Sequence, residues 1–388
     1  MVEKSITVLC NTRFPSTAAH GAYLARLCES LAGQGVSVEI IVPKRFNEVK
    51  ADPLTYYSVK TPFRVRKIWS FDFLILGSVL GRLAYVLQYA NFYLFVMFFF
   101  LFRSRKRTIY MMDNLAGLLH FLGYRLIFET HVGIGSYRKY FLPLLKKADR
   151  FIVVNSIIKN DFLRAGFPSE DILVAPNGVD LKVFSGKESK AELRRELRLP
   201  LSAKIMAYVG KYKTMGMDKG VDELVKVFSS LRQKMANTHL LIVGLAPQEK
   251  QELAEVFAHA VIPAEAYTLV VHVPQSEVGK FMRASDVLIM NYPNTSYYAS
   301  YMSPMKMFEY MASGVPIVTS DLPTVREILD DEMAVFVSPD NKESLEQGIF
   351  RVLMNEEFGK QIASKAYEKV SNYTWGKRAE RILDFTGV

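Results

Sequence analysis

Two α/β domains, each built on a parallel sheet, are what this sequence predicts, and three observations predict them. Short β-branched runs alternate with stretches of helical period along the chain. The first forty-odd residues already form a strand, loop, helix and strand. A charged, helix-forming stretch at 181–202, closed by Leu199-Pro200-Leu201, divides an earlier set of strands from a later one. A parallel pair needs a crossover long enough to carry a helix, so repeated strand–helix–strand units imply parallel sheets. At 388 residues, 50% hydrophobic and 23% charged, the chain has core for two domains. The expected division is 1–190, 191–370 and a C-terminal helix at 371–388 that packs back on the first domain.

The elements follow in order. Ile6 to Cys10 reads as a strand, and Asn11 to Thr17 as a loop by composition. Leu24, Leu27, Cys28 and Leu31 fall at helical spacing before Gly33-Gln34-Gly35, and Val36 to Val42 is the next strand. Gly21, beside His20 at the helix start, would let backbone approach a ligand closely. Thr108 to Met112 reads as a strand, Leu115 to Leu122 as a helix, and Arg125 to Thr130 as a strand ending at His131. A histidine there either points into the crevice where ligands sit in parallel sheets or is held by a loop hydrogen bond. Asp149 to Asn155 is a strand, Ser156 an N-cap for a helix to Ala165, and Asp171 to Ala175 a strand before the turn Pro176-Asn177-Gly178.

Between these lies an unusual segment. From Leu83 to Phe102 only Gln88 and Asn91 are polar, and Arg103-Ser104-Arg105-Lys106-Arg107 follows at once. That is the length of a membrane span with a basic flank. A crossing would put strands of one sheet on opposite sides of a bilayer, so it is excluded. A buried helix pair and an in-plane apolar surface touching lipid remain. Phe98-Phe99-Phe100 beside the cations favours peripheral membrane contact through 74–107.

The second domain opens with Ala203 to Val209, a strand. The loop Gly210 to Gly220 carries Lys211, Lys213 and Lys219, and a helix runs from Val221 to Lys234. Lysine is a compact charge suited to phosphate oxygens, though a solvated basic loop has the same composition. Strands at His239 to Val243, Thr268 to Val273 and Val287 to Asn291 lead to SPMKMFEYMASGVPIV at 303–318. A loop entering a helix there would offer the amides of Met305 and Lys306 to phosphate, with Ser303 beside them and Glu309 placed for a sugar hydroxyl pair. A buried helix with one satisfied acid reads the same way locally. Ala334 to Val337 is a last strand, Lys342 to Met354 a helix, and 356–386 a helical tail anchored by Trp375.

Composition bounds the chemistry. The net charge of +10 favours anionic partners, but no stripe of interleaved aromatic and cationic residues supports nucleic acid. Two cysteines, Cys10 and Cys28, and a strand-like N-terminus point to a reduced, cytoplasmic setting, including the inner face of the cell membrane. No zinc or nucleotide-sugar metal motif occurs, and neither a dinucleotide fingerprint nor a Gly-x-Ser-x-Gly elbow is present.

RFPSTAAHG (13–21), FETH (128–131), ADRFIVVNS (148–156), VAPNGVDLKVF (174–184), YVGKYK…DKG (208–220) and the 303–318 stretch follow one another in an order that resembles the family 4 glycosyltransferases. The resemblance implies the GT-B fold, in which two Rossmann-like domains face each other across a deep cleft. It implies retaining transfer from a nucleotide-diphosphate sugar to a glycan or lipid-linked acceptor without metal or other cofactor. By its motifs Lys211, Lys219 and His131 are catalytic. Glu309, Ser303, Met305, Lys306, Gly21 and Tyr301 meet the donor, and His20 and Asn177 lie on the acceptor side or at the interface. Tyr301 stands where the family has the first glutamate of its donor motif, so sugar contacts are altered; Lys211 replaces an arginine and loses its fork. A GT-B-fold epimerase or hydrolase, or a non-enzymatic partner subunit, would share parts of this pattern.

Overall fold

Runs such as Ile-Thr-Val-Leu and Val-Leu-Ile-Met have no polar face to give to water, which suits strands buried on both sides of a parallel sheet. A computed structural model describes residues 4–76, 79, 81–137, 141–214 and 217–388. They form two units, one of residues up to Pro176 together with Trp375–Val388, the other Asn177–Thr374. The boundary therefore falls before Asn177-Gly178 rather than at 190/191, and the chain returns to the first unit at 375 rather than 371. Burial of the 177–199 side chains explains the shift: Val179, Phe184, Leu193 and Leu199 belong to the second unit's core.

In the first unit, strands β1 (Ser5–Leu9), β2 (Ser37–Lys44), β3 (Arg64–Trp69), β4 (Thr108–Met111), β5 (Arg125–Thr130), β6 (Arg150–Val153) and β7 (Ile172–Val174) form one parallel sheet in the order β3-β2-β1-β4-β5-β6-β7. The order reverses between β1 and β4, so the crevice beyond their carboxyl ends is where such a sheet binds ligands. β3 escaped the sequence reading because four of its six residues are charged or Trp and its burial is shallow. The helix expected at Leu115 to Leu122 is a 3-10 helix, Asn114–Leu122. The N-cap of helix Ser156–Arg164 is Asn155, which accepts from the Ile158 amide, in place of the predicted Ser156.

Arg82–Leu101 is a single helix, long and apolar enough to cross a membrane by length and composition. Ala84, Gln88, Phe92, Val96 and Phe100, spaced four apart, form its buried stripe. Each large member adds about 1.5–3 kcal/mol by leaving water. The polar residues turn inward: Gln88 and Asn91 donate to the Ser70 hydroxyl at 3.0 and 2.8 Å. The opposite face carries Leu83, Val86, Leu94 and Phe98, all exposed, so the wholly buried reading does not hold. Residues 77, 78 and 80 of the apolar segment lie outside the described residues.

In the second unit, β8 (Lys204–Val209), β11 (Thr238–Leu245), β12 (Tyr267–Val271), β13 (Val287–Met290), β14 (Ile317–Ser320) and β15 (Val335–Val337) form a parallel sheet in the order β12-β11-β8-β13-β14-β15. Its reversal lies between β8 and β13. The Gly210–Gly220 loop is partly a two-stranded ribbon, β9 (Lys213–Thr214) with β10 (Met217–Asp218). Met215 and Gly216 at its tip lie outside the described residues. The predicted tail is two helices, Glu356–Val370 and Trp375–Thr386, parted by a 3-10 turn at Ser371–Tyr373.

Candidate functional site

In the second unit, polar groups converge where β8 and β13 end. The hydroxyl of Tyr310, on helix Met305–Ser313, accepts from the Val209 amide at 2.8 Å and donates to its carbonyl at 3.2 Å. That bond fixes the helix against the last residue of β8. Tyr208 donates to the Lys211 carbonyl at 2.8 Å and holds the first turn of the cationic loop. Lys306 is 8% exposed, with its ammonium 3.7 Å from the Tyr208 ring centroid and 5.3 Å from that of Tyr292. Such a cation–π seat keeps the charge in place while removing it from water. A Cβ on Gly210 would lie 2.9 Å from the Lys306 side chain, so glycine lets the loop pass.

Lys219 precedes the helix Val221–Lys234. Burial lowers its pKa, the charge of Lys211 lowers it further, and together they bring it to about 8. Two cations are thus held near each other beside a helix N-terminus, an arrangement that favours an anion between them. Gly220 is what sets Lys219 there. Its φ is +83°, and a Cβ would run into the Asn291 carbonyl at the end of β13. Asn291 in turn donates to Glu223 at 3.0 Å and to the Gly220 carbonyl at 3.4 Å. Gly220→Ala is expected to lower stability by about 1–2 kcal/mol or more and to displace Lys219. Urea midpoints and nucleotide affinity measured on the same variant check both effects.

The 303–318 stretch is tied down from the first residue of the unit. Asn177 donates its backbone N–H to Ser303 Oγ at 3.1 Å and its amide Nδ2 to the Ser303 carbonyl at 2.5 Å. Asn177, expected on the acceptor side, is buried and serves to position the loop before helix Met305–Ser313. Asn177→Ala keeps the backbone bond but loses the Nδ2 bond, worth about 1 kcal/mol, and should therefore loosen that loop and weaken nucleotide binding several-fold, as a titration would read. Glu309 is half-buried one turn into the helix, and Gln275 Nε2 approaches its Oε1 to 3.5 Å. Tyr301 closes the short helix Ser296–Ser300 through its backbone N–H and is half-buried.

In the first unit a second constellation sits beyond β1, β4 and β5. Glu129, the penultimate residue of β5, is fully buried and receives hydrogen bonds from Tyr23, Tyr110, His131 Nε2 (2.8 Å) and Arg378 (2.7 Å). Burial alone would push its carboxyl up; the Arg378 charge, then His131 and Tyr110, outweigh it and hold it down to about 2. An ionised carboxylate only accepts, so Nε2 of His131 carries a proton and the ring's orientation is set by that bond. Arg378 arrives on the C-terminal helix and donates to the Ala175 and Pro176 carbonyls as well. His20 touches Cys10 Sγ at 3.3 Å, and burial, then the neighbouring His131, lowers its pKa to about 4, so its ring is neutral near pH 7. Asp113, past β4, accepts from the Asn11 amide (2.9 Å) and from Tyr89 and Tyr93 of the apolar helix. Gly21 is buried. The space its side chain would need is filled by Ser16 and Tyr57, so packing within the protein already requires a glycine here.

Two family models match the chain in succession: "Glycosyltransferase Family 4" over residues 20–183 and "Glycosyl transferases group 1" over 189–369. The chain belongs to the family 4 glycosyltransferases. Among curated relatives, a putative teichuronic acid biosynthesis glycosyltransferase, TuaC of Bacillus subtilis, is 26% identical over 220 residues, 56% of this chain and 50% of that protein. A lipopolysaccharide 1,2-N-acetylglucosaminetransferase of Salmonella typhimurium is 26% identical over 249 residues, 62% of this chain and 63% of that one. The matches thus span between half and two thirds of these relatives. Anabaena HepE, solved with UDP, superposes with a TM-score of 0.71 over 99% of both chains at 15% identity, which shows the shared GT-B fold.

Within this family member, the predicted residues divide between the units. Lys211, Lys219, Ser303, Met305, Lys306, Glu309, Tyr301 and Asn177 lie in the second, and Gly21, His20 and His131 in the first. Sequence reasoning passed over Glu129, Arg378 and Asp113. Glu129 stood in the FETH match and its burial between β-branched and aromatic residues was the available signal; nothing local marks Arg378.

Proposed function

We propose that this family 4 glycosyltransferase transfers a sugar, with retention and without a metal, from a nucleotide-diphosphate sugar to a glycan or lipid-linked acceptor at the inner face of a membrane. The observation that carries the reading is the Lys211–Lys219 pair beside a helix N-terminus at the reversal of the second sheet. Those cations neutralise the diphosphate as it leaves, the kind of electrostatic help that often supplies most of a rate enhancement. The amides of Met305 and Lys306 add dipoles to the same phosphates, and the Glu309 carboxylate accepts the ribose hydroxyls. His131, held by Glu129, is the candidate catalytic group of the first unit. HepE was solved in complex with UDP, and TuaC and the Salmonella enzyme are named for teichuronic acid biosynthesis and lipopolysaccharide. The exposed apolar face of helix Arg82–Leu101 supports a membrane-surface acceptor.

A panel of nucleotide sugars screened by thermal shift tests this, because a donor that binds only the native state raises the melting temperature. No stabilisation by any of them would favour the partner-subunit reading. The affinity for the responding nucleotide should hold steady up to pH 7.5 and fall as pH rises through about 8. Lys219 loses its proton there in the free protein, whereas a bound diphosphate favours the charged form. A pH-independent affinity from 7 to 9.5 would remove Lys219 from the phosphate.

A further inference from the structure

Beside the exposed face of helix Arg82–Leu101 the first unit has a groove of about 420 Å³ lined by Ile68, Phe95, Phe98, Phe99, Phe102 and Arg103. Its lining is almost wholly apolar and lies along the C-terminal half of the helix. Phe98 is 64% and Phe102 80% exposed. At that end Glu39 of β2, itself buried, binds Arg66 at 2.7 Å and Arg103 at 2.8 Å, with Arg64 at 3.4 Å and Arg107 at 3.6 Å. One carboxylate thus organises four guanidinium groups, and the cluster keeps a large positive excess. Arg103 and Arg66 also flank the Phe99 ring of the groove, 4.5 and 5.6 Å from its centroid. An apolar slot that ends on a fixed set of guanidinium groups matches an amphiphile with one hydrocarbon chain inserted and an anionic phosphate at its head. Guanidinium is suited to that head, since its planar fork meets phosphate oxygens in pairs.

We propose that this groove and arginine cluster form a site for one anionic phospholipid of the bilayer surface, with an acyl chain against Phe95, Phe98 and Phe99 and the phosphate on the Glu39-held arginines. It deepens the membrane-surface reading above, replacing diffuse adsorption by a stoichiometric lipid site. The same helix presents Tyr89 and Tyr93 to Asp113 in the ligand crevice of the first sheet. Lipid seated on its outer face is therefore one helix thickness from that crevice. More than half of the large apolar side chains exposed among the described residues lie between Trp69 and Phe102, so the surrounding surface suits the same interface.

The test uses the full-length chain and dihexanoylphosphatidylglycerol below its micellar concentration, followed by the emission of Trp69, whose ring lies 4.9 Å from that of Phe95. Saturable binding of one lipid per chain is expected, at least tenfold tighter than dihexanoylphosphatidylcholine or glycerol 3-phosphate. The double variant Arg64→Gln/Arg107→Gln leaves the two closest Glu39 partners in place and should weaken binding by roughly tenfold or more. Phe98→Glu, at an exposed position that does not threaten folding, should abolish it. Absence of saturable binding while the protein still floats with phosphatidylglycerol vesicles would reduce the site to a sticky surface and overturn the proposal. So would equal binding of glycerol 3-phosphate, which would make the groove irrelevant, or of the choline lipid, which would make the arginines so. Nucleotide affinity in the variants reports the second unit separately. Its absence from the wild-type chain would defeat the transferase reading and leave this one standing.

Discussion

Lys219→Ala is expected to lower kcat/KM for sugar transfer by about 10²–10³-fold, the usual loss when one preorganised group that stabilises departing charge is removed. The fold should not suffer. A lysine whose pKa falls from its ordinary value to about 8 is charged at neutral pH at some cost to the native state. The sign follows from proton counting. Between pH 8 and the ordinary lysine range the unfolded chain holds the proton that the native chain has lost, so stability rises with pH there and the penalty is complete below 8. Removing the ammonium at pH 7 therefore leaves the melting temperature unchanged or slightly raised. Glu309→Ala should behave alike, with the loss appearing mainly as weaker nucleotide binding. Full transfer activity in either variant would dismiss the site. A large fall in melting temperature with Lys219→Ala would make the residue structural.

The second large effect lies in the first unit. Arg378→Met should cost about 3–5 kcal/mol, because it leaves Glu129 ionised and buried without its cation. The pair is among the most deeply enclosed groups in the chain, with Arg378 1% exposed. Glu129→Gln/Arg378→Met should recover much of that loss, since an amide needs no counter-charge. The wild-type chain should lose stability as pH falls from about 4.5 toward 2. Glu129 is held near 2 when folded and titrates at its ordinary, higher value when unfolded, so its contribution is present above that value and vanishes below both. Glu129→Gln should flatten this part of the acid unfolding curve, and equal slopes would show that Glu129 is not held down. In transfer assays the same variant should alter the pH profile. Its new amide can donate as well as accept, and so no longer dictates which nitrogen of His131 bears the proton.

These residues mark how far the sequence could be read. Strand and helix alternation, the helix start at Met305 and the lysines of the Gly210–Gly220 loop were legible because each is written in a local period or a local charge pattern. The place of Glu309 one turn into that helix was legible for the same reason. Gly21 shows the limit of a lone glycine, which reports only that something comes close; the structure adds Ser16 and Tyr57. Asn177 misled as turn chemistry, since its amide is committed to Ser303, 126 positions away.

By itself, then, the sequence determined the class of both units, the order of most of their elements and the cationic loop and helix start of the second, through apolar periodicity and short motifs that act within a few residues. Only the tertiary structure decided which charges meet. Arg378 finds Glu129 across 249 positions, and Glu39 gathers arginines from β3 and from beyond the apolar helix. It also decided that the twenty-residue helix lies along the first unit with one stripe buried and its apolar back exposed. The reason is physical: composition sets how much apolar surface a helix carries, but the sheet it packs on decides which face is left for water or lipid.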